Sequence, residues 1–76
     1  MKYKNPDYCR AFGMHLRKLR EMKGFGLREF ANKADIEFSQ LSKIERGVTN
    51  PTITTILSLA EALETPHSKL YDFKFP

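Results

Sequence analysis

The chain contains a single cysteine, Cys9, so no disulfide can close within it and a reducing compartment is expected. No apolar run approaches the length that spans a bilayer, and the first residues lack the apolar core of a secretory leader. A cytoplasmic protein without membrane association is therefore the expectation. His15 and His67 have no cysteine or second histidine at ligand spacing, so no metal site is expected. The chain also lacks any serine–histidine or carboxylate–histidine constellation, which argues against an enzyme and against a catalytic cofactor. No linker, internal repeat or low-complexity tract interrupts the 76 residues, so residues 1–76 are expected to form one domain. With no effector module beside it, no small-molecule ligand is expected.

What is present is a globular composition with a basic excess. Hydrophobic residues make up 41% and charged residues 29%, which excludes wholesale disorder. The net charge of +4 and a pI near 9.4 suit a polyanionic partner such as nucleic acid. A chain this short buries only a modest core, so it must rely on well-packed helices or on a partner.

The most informative stretch runs from Asp35 to Gly47. Ile36, Leu41 and Ile44, at spacings of five and three, lie on one side of a short helix over 38–46. Gly47 can end that helix in a left-handed conformation without steric penalty. The other side presents Phe38, Ser39, Ser42 and Lys43, an aromatic, two hydroxyls and a cation. Such a face suits the edges of DNA bases better than it suits solvation alone, which makes this stretch a candidate recognition helix.

The rest of the chain supplies the frame. Residues 1–5 form a polar lead-in, and Asn5 followed by Pro6 marks a helix start, giving a first helix over 6–23. Phe12, Leu16, Leu19 and then Met22 or Lys23 follow helical spacing in it, up to Gly24. Arg17, Lys18, Arg20 and Lys23 gather where cations complement the helix dipole. A second helix over 27–34, capped by Gly26, turns Phe30 and Ala34 inward, and Ala31 allows a close helix crossing. Asp35 and Ile36 make the tight joint of a helix-turn-helix pair. Asn50-Pro51 marks a turn, Thr52 can cap a fourth helix over 52–63, and its expected stripe is Ile53, Ile56, Leu57, Ala60 and Leu63. Thr65-Pro66 reads as a fresh start for a fifth helix over 66–72 that carries Leu70 and Tyr71 inward, followed by an exposed Phe73 and Phe75.

Several of these pieces fall in one register. Leu16-Arg17-Lys18-Leu19-Arg20, Gly24, Glu29-Phe30-Ala31, Ala34, Leu41 to Gly47 and Asn50-Pro51-Thr52 resemble the Xre-type helix-turn-helix family. That family includes phage repressor and Cro proteins and restriction–modification controllers, and the resemblance runs from about Phe12 to Tyr71. It implies an all-α, five-helix, repressor-like fold whose recognition helix enters the major groove of double-stranded DNA. It also implies a homodimer covering two half-sites of a near-palindrome about one helical turn apart.

On the same basis Phe38, Ser39, Gln40, Ser42 and Lys43 fall at or near base-reading positions, with Lys43 suited to guanine O6 and N7. Phe38 has two roles open to it, a contact with a thymine methyl or a partly buried place at the helix start. Arg17, Arg28, Arg46 and Asn50 are the candidates for phosphate; Asn50 could equally bond its own turn. Arg20 and Glu45 correspond to a structural ion pair of the family. Leu63, Tyr71, Phe73 and Phe75 are the candidates for the dimer contact, with core packing as the competing role. The chain departs from the family pattern at Leu27, where a glutamine is usual, and at Glu37, where serine or threonine is common. A protein-interaction module or antitoxin with the same fold is the alternative those departures keep open.

Overall fold

Phe12 and Leu16, one turn apart, are buried and fix the first helix against the remaining elements. The computed structural model describes residues 5–75, without the side chain at position 5. Its elements are α1 (Asn5–Met22), α2 (Leu27–Ala34), α3 (Phe38–Arg46), α4 (Ile53–Ala62) and a closing 3-10 helix (His67–Tyr71). No strand occurs among the described residues, so the fold is all-α as expected. The α1 crossing rests on α3 and the 3-10 helix, while α2 packs on both α3 and α4. Phe30, Ala31, Ala34, Leu41, Ile44, Ile56, Leu59, Ala60, Leu63 and Leu70 complete the core around Phe12 and Leu16. No helix among the described residues is long and apolar enough to cross a membrane.

Two sharp helix ends set the geometry of α3. Asp35 ends α2 with φ 56° and ψ 45°, and the Ile36 amide donates to the Ala31 carbonyl at 3.0 Å. Aspartate tolerates this left-handed conformation better than most residues. Gly47 ends α3 in the same way, with φ 75°, and the Val48 amide donates to the Lys43 carbonyl at 3.0 Å. After Pro51, the Thr52 hydroxyl accepts the Thr55 amide at 3.2 Å and caps α4.

The structure corrects the sequence expectations at several points. The first helix ends at Met22 rather than 23, and Met22 is exposed, so the buried stripe stops at Leu19. The expected lead-in and the capping by the Asn5 side chain lie outside the described residues. On α4 the buried arc is Ile56, Leu59, Ala60 and Leu63, at helical spacing. Leu57 lies about a quarter-turn from Ile56 and so faces out, together with Ile53 one turn earlier. The fifth element is a 3-10 helix capped at Pro66, not an α-helix started by Thr65. Its tighter winding buries Leu70 but leaves the neighbouring Tyr71 exposed.

Phe73 and Phe75 are half-buried rather than exposed. Phe73 sits 5.4 Å from both Tyr8 and His15, and Phe75 meets the Tyr8 ring edge-on at 5.0 Å. The His15 ring nitrogen lies 2.8 Å from the Lys69 carbonyl and ties the same segment to α1. Leu63 is fully enclosed in the core, so its side chain has no surface to offer a second subunit.

Candidate nucleic-acid interface

Because Leu41, Ile44 and Glu45 are buried, the helical period leaves Ser39, Lys43 and Arg46 as an exposed row on the far side of α3. Ser42, half-buried at the edge of that row, accepts a hydrogen bond from Arg46 Nε at 3.3 Å. Gln40 lies on the other edge, where it joins Ser39, Lys43, Thr49, Asn50 and Thr52 around a polar groove between α3 and the following loop. Asn50 is exposed on the wall of that groove, and among the described residues its side chain makes no hydrogen bond to its own turn.

Phe38 opens α3 beside this row. The residue is 37% exposed, and the Arg28 guanidinium of α2 lies 4.2 Å from its ring centroid. Phe38 is thus partly covered, by Arg28, and partly exposed. Glu37 caps α3 with extended backbone but no side-chain hydrogen bond, leaving its carboxylate exposed near the positive helix end. Leu27 packs against the core instead of presenting a polar group at the start of α2.

Arg20 and Glu45 hold α3 in place from behind. Arg20 Nε and Nη2 donate to the two Glu45 carboxylate oxygens at 2.7 and 3.0 Å, and Nη1 donates to the Phe25 carbonyl at 2.8 Å. The hydrogen bond to Glu45 holds the Arg20 pKa above its already high ordinary value, against the opposing effect of burial. Every donor and acceptor of the pair that is buried has a partner among the described residues.

Gly13, not among the residues singled out from the sequence, governs the same crossing. A Cβ there would collide with the carbonyl oxygens of Ile44 and Glu45. A glycine in the middle of a helix was the available signal, since it costs helix stability unless something approaches closely.

The structure therefore gathers Phe38, Ser39, Gln40, Ser42 and Lys43 with Arg28, Arg46 and Asn50 around α3. Arg17 is the exception. It lies on α1 and pairs with Glu21 at 3.2 Å, both side chains being exposed. Thr49 and Thr52 also line this polar groove, Thr52 in addition to its role as the cap of α4. The surface offers hydroxyls, amides and cations, and among the described residues no cluster of histidine, cysteine and carboxylate suited to a metal.

A family model described as helix-turn-helix matches residues 16–70. The HTH-type transcriptional regulator DdrOP3 of Deinococcus deserti is 41% identical over 61 residues, covering 79% of this chain and 47% of the relative. The chain thus spans about half of that protein's length. The restriction-modification controller protein C.AhdI from Aeromonas hydrophila superposes with a TM-score of 0.82 at 33% identity, over 83% of this chain and 96% of that one. SinR of Bacillus subtilis, the master regulator for biofilm formation, superposes in its complex with DNA with a TM-score of 0.75. That match has 35% identity and covers 80% of this chain and 98% of the SinR chain.

Proposed function

The chain belongs to the Xre-like helix-turn-helix family of DNA-binding regulators, and from that premise we propose that it binds a near-palindromic DNA site as a homodimer and regulates transcription there. The observation that carries this is the outward row Ser39, Lys43 and Arg46 on a helix that a buried ion pair holds rigidly. In the major groove Lys43 donates to guanine O6 and N7, and Ser39, Gln40 and Ser42 offer shorter polar contacts to adjacent bases or phosphates. Arg46 at the end of that helix, with Arg28 and Asn50 beside it, neutralises or bonds phosphates, which fixes its register on the duplex. Arg17 adds a phosphate contact by exchanging its exposed pairing with Glu21, a pair of low intrinsic stability.

One helix of nine residues reads few base pairs, so selectivity requires a second copy on a related half-site. With Leu63 enclosed and Phe73 and Phe75 packed beside α1, the exposed apolar side chains that remain for that contact include Tyr71 and, on α4, Ile53 and Leu57. The protein acts in the cytoplasm, where DNA is reached without a membrane to cross.

Selection of binding sites from randomised duplexes tests the proposal. The expected product is a sequence with two-fold symmetry and half-sites one helical turn apart. Recovery of no common sequence would contradict it and would favour a protein-interaction role for the same fold.

A further inference from the structure

Phe38 is a large aromatic ring left on the surface that the polar row of α3 also occupies. It does not serve the core, which α3 supplies through Leu41 and Ile44. One ring face is taken by the Arg28 guanidinium at 4.2 Å, ten residues away in sequence and brought near by the turn at Asp35. The hollow that the ring borders is lined by Asn32, Asp35, Glu37 and Gln40 together with Ala31 and Ile36. Ala31 is buried and Ile36 half-buried, so the apolar spot exposed there is little larger than the ring itself, too small to seat another protein surface.

The ring has no hydrogen bond to give. Among the base edges in the major groove, the group that matches an apolar spot of this size is the C5-methyl of a pyrimidine. The Arg28 guanidinium over the other face supports the ring through a cation–π contact and adds a positive charge beside it, where a duplex seated on α3 would bring phosphates.

We propose that Phe38 and Arg28 form one unit that recognises the C5-methyl group of a pyrimidine, with Phe38 touching the methyl and Arg28 acting as the positioning residue. This rests on the DNA-binding reading above. Thymine and 5-methylcytosine carry the same group, so binding to a cytosine-containing site becomes sensitive to cytosine methylation.

The test uses the full chain and a duplex chosen by selection. Each thymine is replaced singly by deoxyuracil, which removes the methyl and leaves every hydrogen-bonding group. At one position per half-site the affinity is expected to fall about fourfold, the effect of losing burial of one methyl-sized group. Placing a 5-methylcytosine–guanine pair there is expected to bind about fourfold more tightly than cytosine–guanine, which separates the methyl from the rest of thymine. Phe38→Ala, and Phe38→Leu as a variant that keeps an apolar helix residue, are compared on the same duplexes.

Phe38→Ala should remove the difference between thymine and uracil, and Arg28→Ala should reduce it in addition to weakening binding overall. Selective binding with no thymine sensitive to the replacement would overturn the inference while leaving the proposed function intact. A thymine–uracil difference unchanged in Phe38→Ala would also overturn it, because another group would then read the methyl. Failure to select any site would overturn both.

Discussion

Arg20 of α1 and Glu45 of α3 meet through two parallel hydrogen bonds of 2.7 and 3.0 Å, with about nine-tenths of each side chain removed from solvent. Removing one partner leaves an uncompensated buried charge, at a cost of about 3–5 kcal/mol, whereas replacing both with apolar groups can be nearly neutral. Arg20→Met is therefore expected to destabilise strongly, and Arg20→Met combined with Glu45→Leu to recover most of the loss. Urea denaturation checks this; additive losses in the double variant would contradict the coupling. The raised Arg20 pKa stabilises the fold below its ordinary value and would be lost only as the pH rises through the folded value. Its ionisation thus contributes no slope to stability near neutrality.

Gly13→Ala separates two opposing effects. In an open helix interior the change would stabilise by roughly 1 kcal/mol through helix propensity. Here the added methyl runs into the Ile44 and Glu45 carbonyls, and forced repacking costs about 1–3 kcal/mol. A lower denaturation midpoint is expected; a higher one would mean that α1 and α3 do not cross so closely.

Much of the frame was legible in the sequence because local chemistry and burial agree there. Leu41, Ile44 and Gly47 specify α3, and Phe30 with Ala34 specifies the inner face of α2. The fourth helix misled because it is apolar around much of its circumference: Ile53, Ile56, Leu57, Leu59 and Leu63 fit more than one face. Only the position of α2 and the 3-10 helix decides that Leu59 is buried and Ile53 is not. The tail misled for a related reason, since Tyr8 and His15, far away in sequence, supply the surface that receives Phe73. At the site, residue identities on α3 were readable from spacing, but the stacking of Arg28 on Phe38 follows from a turn geometry that no local pattern announces.

The exposed and buried positions of α4 make different predictions for assembly. Leu63→Ala should cost about 2–5 kcal/mol of stability, as expected of a fully enclosed leucine, without a specific effect on subunit exchange. Leu57→Glu should leave stability within about 0.5 kcal/mol, since the side chain faces out. It should nevertheless shift the protein toward a monomer in sedimentation equilibrium. An unchanged mass for Leu57→Glu would remove α4 from the proposed dimer contact.

Salt dependence distinguishes the two kinds of cation around α3. Arg46→Ala removes a proposed phosphate contact and should reduce the slope of log affinity against log salt by about 0.9, with a similar loss for every duplex. Lys43→Ala should instead flatten the preference between the selected duplex and one altered at the paired guanine, by about 1–3 kcal/mol. Titrations at several salt concentrations check both. Equal behaviour of the two variants would show that Lys43 contacts the backbone alone.

The most direct measurement is the affinity of the unmodified chain for a selected duplex and for a scrambled duplex of equal length, taken at one fixed salt concentration by fluorescence anisotropy. The expected result is binding to the selected duplex tighter by about a thousandfold or more, a margin that Lys43→Ala reduces. Indistinguishable affinities for the two duplexes would contradict the assignment of the outward row of α3 to reading DNA sequence.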